Sequence, residues 1–317
     1  MGSSHLVDPE LVAGLAMLPQ LDFSTVDIVA VRAGLAAMRG GAPVVDVPEV
    51  VTEEIMVPGP AGAPDVRVVV HRPRDAVGAV PAILHIHGGG YVIGEPSVGD
   101  AANKAVVREL GCAIFSVDYR LAPETVHPGP VEDCYAALVY MAGNAAALGL
   151  DATRIGVMGE SAGGGLAAGL ALLARDKGGP VLAFQHLIYP MIDDRTGVSS
   201  EPHPHTGEFV WRPQDNRYGW GALLGHPPGG DGVSPYAAAA RAEDLAGLPP
   251  AFIAVGTLDL FLEEDVEYAR RLTRAGVPVE LHVYPGAYHG FQLAGAARVT
   301  LQANRDSLEA LRRAMLG

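Results

Sequence analysis

Short apolar runs alternate with longer amphipathic segments through most of the chain, and few folds accommodate such a pattern. Strand-like runs lie at residues 82–87, 113–117, 154–158, 183–189, 252–255 and 279–284. Helical periodicity lies between and after them, at residues 100–110, 131–148, 161–177, 263–275 and 300–315. Strands that are apolar along their whole length are typical of a parallel sheet buried on both faces. The sequence therefore predicts an α/β fold with helices on both sides of a mostly parallel sheet.

Three segments fall outside this alternation. Residues 9–38 carry two helical patterns broken at Pro19, with Ser24 and Asp27 spaced like an N-cap and a first-turn acid. Residues 51–57 and 66–72 are rich in β-branched side chains and enclose a Pro/Gly-rich turn, which predicts an antiparallel hairpin. Residues 190–249 are rich in Pro, Gly, His and aromatic side chains and are too long for an ordinary connection, so we expect a lid there.

The charge balance disfavours several classes of partner. With 22 Lys and Arg against 36 Asp and Glu, the net charge of −14 disfavours attraction to nucleic acid or anionic lipid, and a small or neutral ligand is expected instead. The sequence shows neither a signal-peptide pattern nor an apolar stretch of membrane-spanning length. Cys112 and Cys134 lack metal-type and disulfide-type spacing, so a reducing, cytoplasmic location is expected.

Residues 159–165, which read Gly-Glu-Ser-Ala-Gly-Gly-Gly, lie between a predicted strand and a predicted helix. A sharp turn of the form Gly-x-Ser-x-Gly holds its serine in strained backbone with the hydroxyl exposed. The helix N-terminus adds amide N–H groups and a positive dipole end beside that hydroxyl. A phosphate-binding loop is the other interpretation, but it requires a terminal Lys-Ser/Thr that is absent here. Ser161 is therefore the predicted nucleophile.

A second glycine run follows the first strand of the alternating region, where residues 85–91 read His-Ile-His-Gly-Gly-Gly-Tyr. Attack of a serine on an acyl carbon creates an oxyanion, and preorganised backbone N–H groups stabilise that charge. Gly88 and Gly89 can supply such groups because they lack side chains. The amide of Ala162, the residue after the nucleophile, is the predicted third donor.

Two histidines, His85 and His87, precede this glycine run and have the spacing of a two-histidine metal pair. No third and fourth ligand at a convincing spacing joins them, so we expect no metal site. His87 is expected to hold the glycine loop by hydrogen bonds, and His85 to be a core histidine whose polar atoms are satisfied.

The base and the orienting acid are expected after the serine in the chain. His289 is the predicted base because it lies in a turn directly after a strand, where its side chain can reach over the sheet edge. Asp259 is the predicted acid because it also follows a strand end, where catalytic groups of open α/β sheets gather. Three acids in the next helical turn remain alternatives for this role: Glu263, Glu264 and Asp265.

Five motifs, in this order along residues 45–317, together resemble the hormone-sensitive-lipase-like esterases, also called bacterial family IV. They are His-Gly-Gly-Gly at 87–90, Asp-Tyr-Arg-Leu-Ala-Pro-Glu at 118–124, Gly-Glu-Ser-Ala-Gly-Gly at 159–164, the Asp259 segment, and His-Gly-Phe at 289–291. The resemblance implies an α/β-hydrolase fold with a mostly parallel eight-stranded sheet flanked by helices. It also implies a helical cap of residues 1–45 and 191–248 on a catalytic core of residues 46–190 and 249–317.

The same resemblance implies hydrolysis of short- to medium-chain carboxylic esters through an acyl-enzyme intermediate, without a cofactor. Tyr91 and Glu160 are placed at the substrate pocket, although Glu160 stands where many members have Asp, and Leu260-Phe261 replaces the usual Pro-Leu after the acid. The family's remaining roles fall on residues already singled out: Ser161, Asp259 and His289 as the triad, with Gly88, Gly89 and Ala162 as the oxyanion hole.

Other functions remain open at this stage. An amide, a lactone or a formamide would be cleaved by the same triad, because acyl transfer uses the same groups for each. A non-catalytic receptor is a further alternative, since some receptors that resemble this family lack the triad histidine, which is present here as His289. Members of the family often form homodimers, and a homodimer is expected here by analogy alone.

Overall fold

The computed structural model of the protein describes residues 2–15, 22–23, 25–40 and 46–316. Within these ranges eight strands form one sheet. The strands are β1 (Val50–Val57), β2 (Val66–Pro73), β3 (Val80–Ile86), β4 (Ala113–Val117), β5 (Leu150–Glu160), β6 (Gln185–Ile188), β7 (Ala251–Gly256) and β8 (Val279–Tyr284). Their order across the sheet is β1–β2–β4–β3–β5–β6–β7–β8.

The α-helices of the described ranges connect and cover these strands. They are α1 (Val12–Leu15), α2 (Ile28–Gly40), α3 (Asp100–Leu110), α4 (Gly129–Gly143), α5 (Ala162–Asp176), α6 (Pro213–Leu224), α7 (Leu262–Arg274) and α8 (Arg298–Leu316). No helix in this part of the chain is both long enough and apolar enough to cross a membrane.

The strand pairing confirms the predicted fold class. β1 pairs with β2, and β2 with β4, in antiparallel orientation, whereas the other neighbouring strands are parallel. The predicted hairpin is also confirmed, with Val57 paired to Val66 across the turn. The sheet is therefore mixed at the β1 edge and parallel from β4 to β8, as an α/β fold requires.

Both faces of the central strands are buried, because each contacts a different layer of helices. In β3, Leu84 packs in the cluster that includes Leu138 of α4 and Leu166 of α5. Its neighbour Ile83 points the other way and packs in the cluster that includes Leu311 of α8. Since successive side chains of a strand face opposite sides, this two-sided burial explains why the strand reads as continuously apolar.

Several element ends differ from the prediction by a few residues, and local contacts explain two of the differences. Helix α4 ends at Gly143 rather than at residue 148, because the backbone and side-chain N–H groups of Asn144 donate to the carbonyl of Tyr140 and close the last turn. Strand β6 stops before Tyr189, whose φ of 35° lies outside the extended region.

The N-terminal helices are only partly described. The predicted break at Pro19 and the predicted cap Ser24 lie outside the described residues. Asp27 is itself the cap of α2, since its Oδ1 accepts the N–H groups of Val29 (2.9 Å) and Ala30 (3.4 Å). The prediction of Asp27 as a first-turn acid was therefore wrong, because the residue precedes the helix.

The long segment between β6 and β7 folds back against the sheet. Its helix α6 buries Trp220 completely within the main core. A buried ion pair fixes the rest of the segment, because both carboxylate oxygens of Asp194 accept N–H groups of Arg241, at 2.6 and 2.9 Å. These contacts hold the segment next to the carboxyl ends of the parallel strands.

Candidate active site

The carboxyl ends of the parallel strands bring the predicted site residues to one edge of the sheet. Each residue or segment follows a different strand: residues 88–90 follow β3, Ser161 follows β5, Asp259 follows β7 and His289 follows β8. Because neighbouring parallel strands end at the same edge, segments that are far apart in sequence meet there.

The backbone at Ser161 is strained in the way that a nucleophile elbow requires. Ser161 has φ of 56° and ψ of −123°, and its N–H donates to the carbonyl of Ile188 at 2.9 Å. A Cβ on Gly159 would lie 2.3 Å from the carbonyl oxygen of Gly163, and a Cβ on Gly163 would lie 2.0 Å from that of Ile86. Only glycine fits at these two positions, so the turn is tight enough to hold the serine in this conformation.

A chain of hydrogen bonds joins the serine, the histidine and the aspartate. Ser161 Oγ lies 2.9 Å from His289 Nε2, and His289 Nδ1 lies 2.8 Å from Asp259 Oδ2. The other oxygen of Asp259 accepts the N–H of Phe261 at 3.0 Å, and all three side chains of the chain are buried. A carboxylate fixed at both oxygens orients the imidazole, and the imidazole faces the hydroxyl with its other nitrogen.

Aromatic side chains surround the imidazole of His289. The ring of Tyr189 meets it edge-on at a centroid distance of 4.6 Å, and the ring of Phe261 does so at 5.1 Å. Trp211 lies at 6.4 Å. These rings displace water, and electrostatic interactions within the site are therefore stronger than they would be in solvent.

The other acids that could have oriented the histidine lie elsewhere. Glu263 is exposed. Glu264 is buried, and its Oε1 accepts the main-chain N–H groups of Ile192 (2.7 Å) and of the next residue (3.1 Å). Neither oxygen of Asp265 has a hydrogen-bond partner among the described residues. Burial raises the pKa of both Glu264 and Asp265, and Asp259 is the carboxylate in contact with His289.

The predicted oxyanion donors lie beside the serine. Within the described chain, the N–H groups of Gly88, Gly89 and Ala162 have no hydrogen-bond acceptor. A Cβ on Gly88 would lie 2.9 Å from the carbonyl oxygen of Glu160, and Gly89 has φ of 124° with its carbonyl turned toward the N–H of Ile93. Glycine is needed at both positions, and its absence of side chain leaves the N–H groups accessible.

His87 braces the glycine loop as expected. Its Nδ1 donates to the carbonyl of Gly88 at 2.8 Å, and its ring stacks on Tyr119 at 4.3 Å. The Tyr119 hydroxyl donates to the carbonyl of His87 at 3.0 Å. Burial lowers the pKa of His87 to about 4, so the ring is neutral at physiological pH. The described residues contain no group of three or more potential ligands suited to a metal ion.

Tyr91 does not line a pocket. Its side chain is fully buried, its hydroxyl donates to the carbonyl of Met191 at 2.8 Å, and its ring packs against Trp220 at 5.2 Å. Its φ of 67° lies in the left-handed region, and its contacts direct the side chain toward α6 and the carbonyl of Met191. The prediction for Tyr91 was therefore wrong. Glu160 does keep about a third of its side chain exposed, next to Ser161.

Trp211 is a site residue that sequence reasoning placed only among the aromatic residues of the long segment, as a possible wall of an acyl pocket. A Cβ on Gly90 would lie 2.2 Å from the Trp211 ring, so the ring covers the glycine loop. The preceding Val210 has φ of 63°, an unusual conformation for a β-branched residue, and the N–H of Trp211 donates to the carbonyl of Phe209 at 2.8 Å. The high density of aromatic residues in this segment indicated that some of them line the site. It did not identify which ring reaches the site.

A family model described as the alpha/beta hydrolase fold matches residues 83–293. Carboxylesterase NlhH of Mycobacterium tuberculosis is 37% identical over 316 residues, which cover 98% of this chain and 96% of the relative. The chain belongs to the hormone-sensitive-lipase-like α/β hydrolases. The family resemblance predicted from the five motifs is confirmed.

Further similarities support the same class of activity. Esterase LipI of Mycobacterium tuberculosis is 35% identical over 275 residues, covering 84% of this chain and 82% of the relative. A solved structure of a bacterial heroin esterase superposes with a TM-score of 0.92, is 42% identical, and covers 98% of each chain. This α/β hydrolase is a carboxylic ester hydrolase, as its sequence predicted.

Proposed function

We propose that Ser161 is the nucleophile, His289 the general base and Asp259 the orienting acid of this esterase. The hydrogen-bond chain from Ser161 Oγ through His289 to Asp259, with distances of 2.9 and 2.8 Å, carries the proposal. Neutral imidazole with its proton on Nδ1, facing the carboxylate, leaves Nε2 free to accept the serine proton.

In the first half of the reaction, His289 Nε2 takes the Ser161 proton as Oγ bonds to the ester carbonyl carbon. The carbonyl π electrons move to the oxygen, and that oxyanion accepts hydrogen bonds from the N–H groups of Gly88, Gly89 and Ala162. The intermediate then collapses, the bond to the alcohol oxygen breaks, and His289 delivers its proton to that oxygen. Acyl-Ser161 and free alcohol result.

In the second half, water replaces the serine hydroxyl as the attacking group. His289 removes a proton from the water as its oxygen bonds to the acyl carbon, and the same three N–H groups stabilise the second oxyanion. Collapse breaks the bond to Ser161 Oγ, which regains its proton from His289. The products are the carboxylic acid and the original enzyme.

The cap is proposed to consist of residues 1–45 and 191–248, on a core of residues 46–190 and 249–317. The folded-back segment between β6 and β7 supports this division. Trp211 from that segment lies over the glycine loop, and with Phe261 it limits the space beside His289. We therefore expect acyl chains of short to medium length, with hydrolysis declining for long-chain esters.

The decisive test is hydrolysis of p-nitrophenyl butyrate by the wild type beside Ser161→Ala. We expect kcat to fall on the order of 10⁴-fold or more, because the remaining groups cannot form an acyl-enzyme. Ser199→Ala, which alters an exposed serine in the segment between β6 and β7, is the matched control and should retain full activity. Equal turnover by wild type and Ser161→Ala would contradict the proposal.

A homodimer in the cytoplasm is the proposed working form. β8 is the last strand of the sheet, so its outer edge has no strand partner in the described chain, and Leu281 (37%) and Val283 (40%) are exposed on it. Such an edge favours association. Cys112 and Cys134 are both free and buried, which suits a reducing compartment. Light scattering that gives a monomer mass at micromolar concentration would contradict the dimer.

A further inference from the structure

An anionic side chain lies directly beside the serine and takes no part in the proposed mechanism. Glu160 is the last residue of β5, and 34% of its side chain is exposed. Its Oε2 lies 3.1 Å from Nε2 of the buried His85. Among the described residues nothing hydrogen-bonds the other carboxylate oxygen, and no Arg or Lys forms an ion pair with this group.

His85 holds Glu160 in place without cancelling its charge. The Ser116 hydroxyl lies 2.8 Å from His85 Nδ1, and the Asn103 side-chain amide donates toward both Nδ1 (3.1 Å) and Ser116 Oγ (3.1 Å). The Asn103 amide N–H can only donate, so Nδ1 is an acceptor and the ring proton is on Nε2; the Ser116 hydroxyl, which accepts from Asn103, then donates to Nδ1. Neutral His85 then donates to the Glu160 carboxylate, which is fixed in one orientation and keeps its negative charge.

The electrostatic potential near the carboxylate is negative on the side of His289. The ring of Tyr189 contacts His289, and burial and then the carboxylates of Glu160 and Asp259 raise the pKa of the Tyr189 hydroxyl. Asp259 is buried and hydrogen-bonded to His289, whereas Glu160 is partly exposed. Glu160 is therefore the carboxylate whose charge a bound substrate can interact with.

The part of the ester that reaches this anion is the alcohol. The leaving oxygen must approach His289 Nε2, since His289 delivers its proton. Glu160 directly precedes Ser161, and its charge acts on Tyr189, whose ring contacts His289. An alcohol bound at His289 is therefore within reach of the electrostatic field of Glu160. A cationic group on the alcohol would gain an attractive interaction with Glu160, and an anionic group would be repelled.

We propose that Glu160 determines specificity and selects esters whose alcohol carries an ammonium group. This inference rests on the proposed triad, because it assumes an ester bound between Ser161 and His289. His85 acts as a positioning residue through its hydrogen bond to Glu160. The selection is electrostatic, so it separates two alcohols of the same shape and different charge.

The test compares acetylthiocholine with its neutral isostere, 3,3-dimethylbutyl thioacetate, by following release of the thiol. In the wild type at low salt, we expect kcat/KM to be about fivefold higher for the cationic ester, which is the upper end for a partly exposed charge pair. In Glu160→Gln this ratio should fall to about one. Glu309→Gln, which removes a charge from the exposed surface of α8, is the matched control and should keep the wild-type ratio.

The outcomes separate this inference from the proposed function. A wild-type ratio near one, or a ratio that Glu160→Gln leaves unchanged while both thioesters are hydrolysed, would overturn the role of Glu160 and leave the esterase mechanism standing. Hydrolysis of neither thioester by a wild type that does hydrolyse p-nitrophenyl butyrate would also overturn the role of Glu160. Hydrolysis of none of the three esters would instead overturn the triad assignment on which the inference rests. If Glu160→Gln does not fold, raising the salt from about 20 to about 500 mM must lower the wild-type ratio, because salt screens the charge. A ratio independent of salt overturns the proposal.

Discussion

Replacement of Gly163 by alanine tests whether close backbone packing sets the geometry of the oxyanion hole. Gly163 is the second residue of α5, and a Cβ there would lie 2.0 Å from the carbonyl oxygen of Ile86 and 2.5 Å from that of His87. Both atoms are backbone, so neither can rotate away. To restore a tolerable contact, α5 and the strand end must separate by about 1 Å, because close-packed interiors transmit such strain.

The separation would fall between the two sources of oxyanion donors. α5 carries Ala162, and the segment after Ile86 carries Gly88 and Gly89. Donors must lie about 2.7–3.1 Å from the oxyanion to be effective, and loss of one typically costs about 10²–10³-fold in kcat. We therefore expect kcat of Gly163→Ala to fall by about 10²–10³-fold, with a smaller change in KM.

The assay is steady-state hydrolysis of p-nitrophenyl butyrate, with urea unfolding to establish that the variant is folded. Gly143→Ala is the matched control: a Cβ on this exposed helical glycine would have no other atom within 4 Å, so kcat should be unchanged and the unfolding free energy should rise by about 0.5–1 kcal/mol. Gly88→Ala, with its closest contact at 2.9 Å, should lose less activity than Gly163→Ala. Folded Gly163→Ala with kcat within about twofold of wild type would refute the reasoning.

Two further predictions concern ionisable groups. Asp259→Asn should lower kcat by about 10⁴-fold, because an amide N–H facing His289 Nδ1 favours the wrong tautomer; near-normal turnover would place the orienting acid elsewhere. Burial lowers the pKa of His186 to about 3, so as pH falls below about 6.5 the unfolded chain binds a proton that the folded protein does not, and stability decreases. His186→Gln can still bond to Ser307. This variant should reduce the slope of the unfolding free energy against pH by up to about 1.4 kcal/mol per pH unit between pH 6 and 4. Urea titrations at several pH values measure that slope, and an unchanged slope would contradict the reasoning.

The sequence alone determined the fold class and the candidate catalytic residues. Alternating apolar and amphipathic runs reflect local periodicity, and the turn at 159–165 depends on glycines within a few residues of Ser161. Both features can therefore be inferred from short stretches of sequence. The expected chain order of serine, acid and histidine then indicated where after Ser161 the acid and the histidine should lie. The hairpin of β1 and β2 was predictable for the same reason, because its register depends on a single turn.

Only the tertiary structure decided which distant side chains meet. Asp259, Glu264 and Asp265 are close in sequence, and the register of β7 against β8 decides that Asp259 faces His289. Tyr91 looked like a pocket residue but is buried, because its ring packs against Trp220 of α6 and its hydroxyl donates to the carbonyl of Met191.

The positions of Trp211 and Glu160 depended on the same long-range packing. The backbone turn at Val210 brings the Trp211 ring over Gly90, and the pairing of β3 with β5 sets Glu160 beside His85. Periodicity and turn chemistry act over a few residues, whereas these contacts join segments tens to more than one hundred residues apart. They exist only once the sheet has assembled in its register.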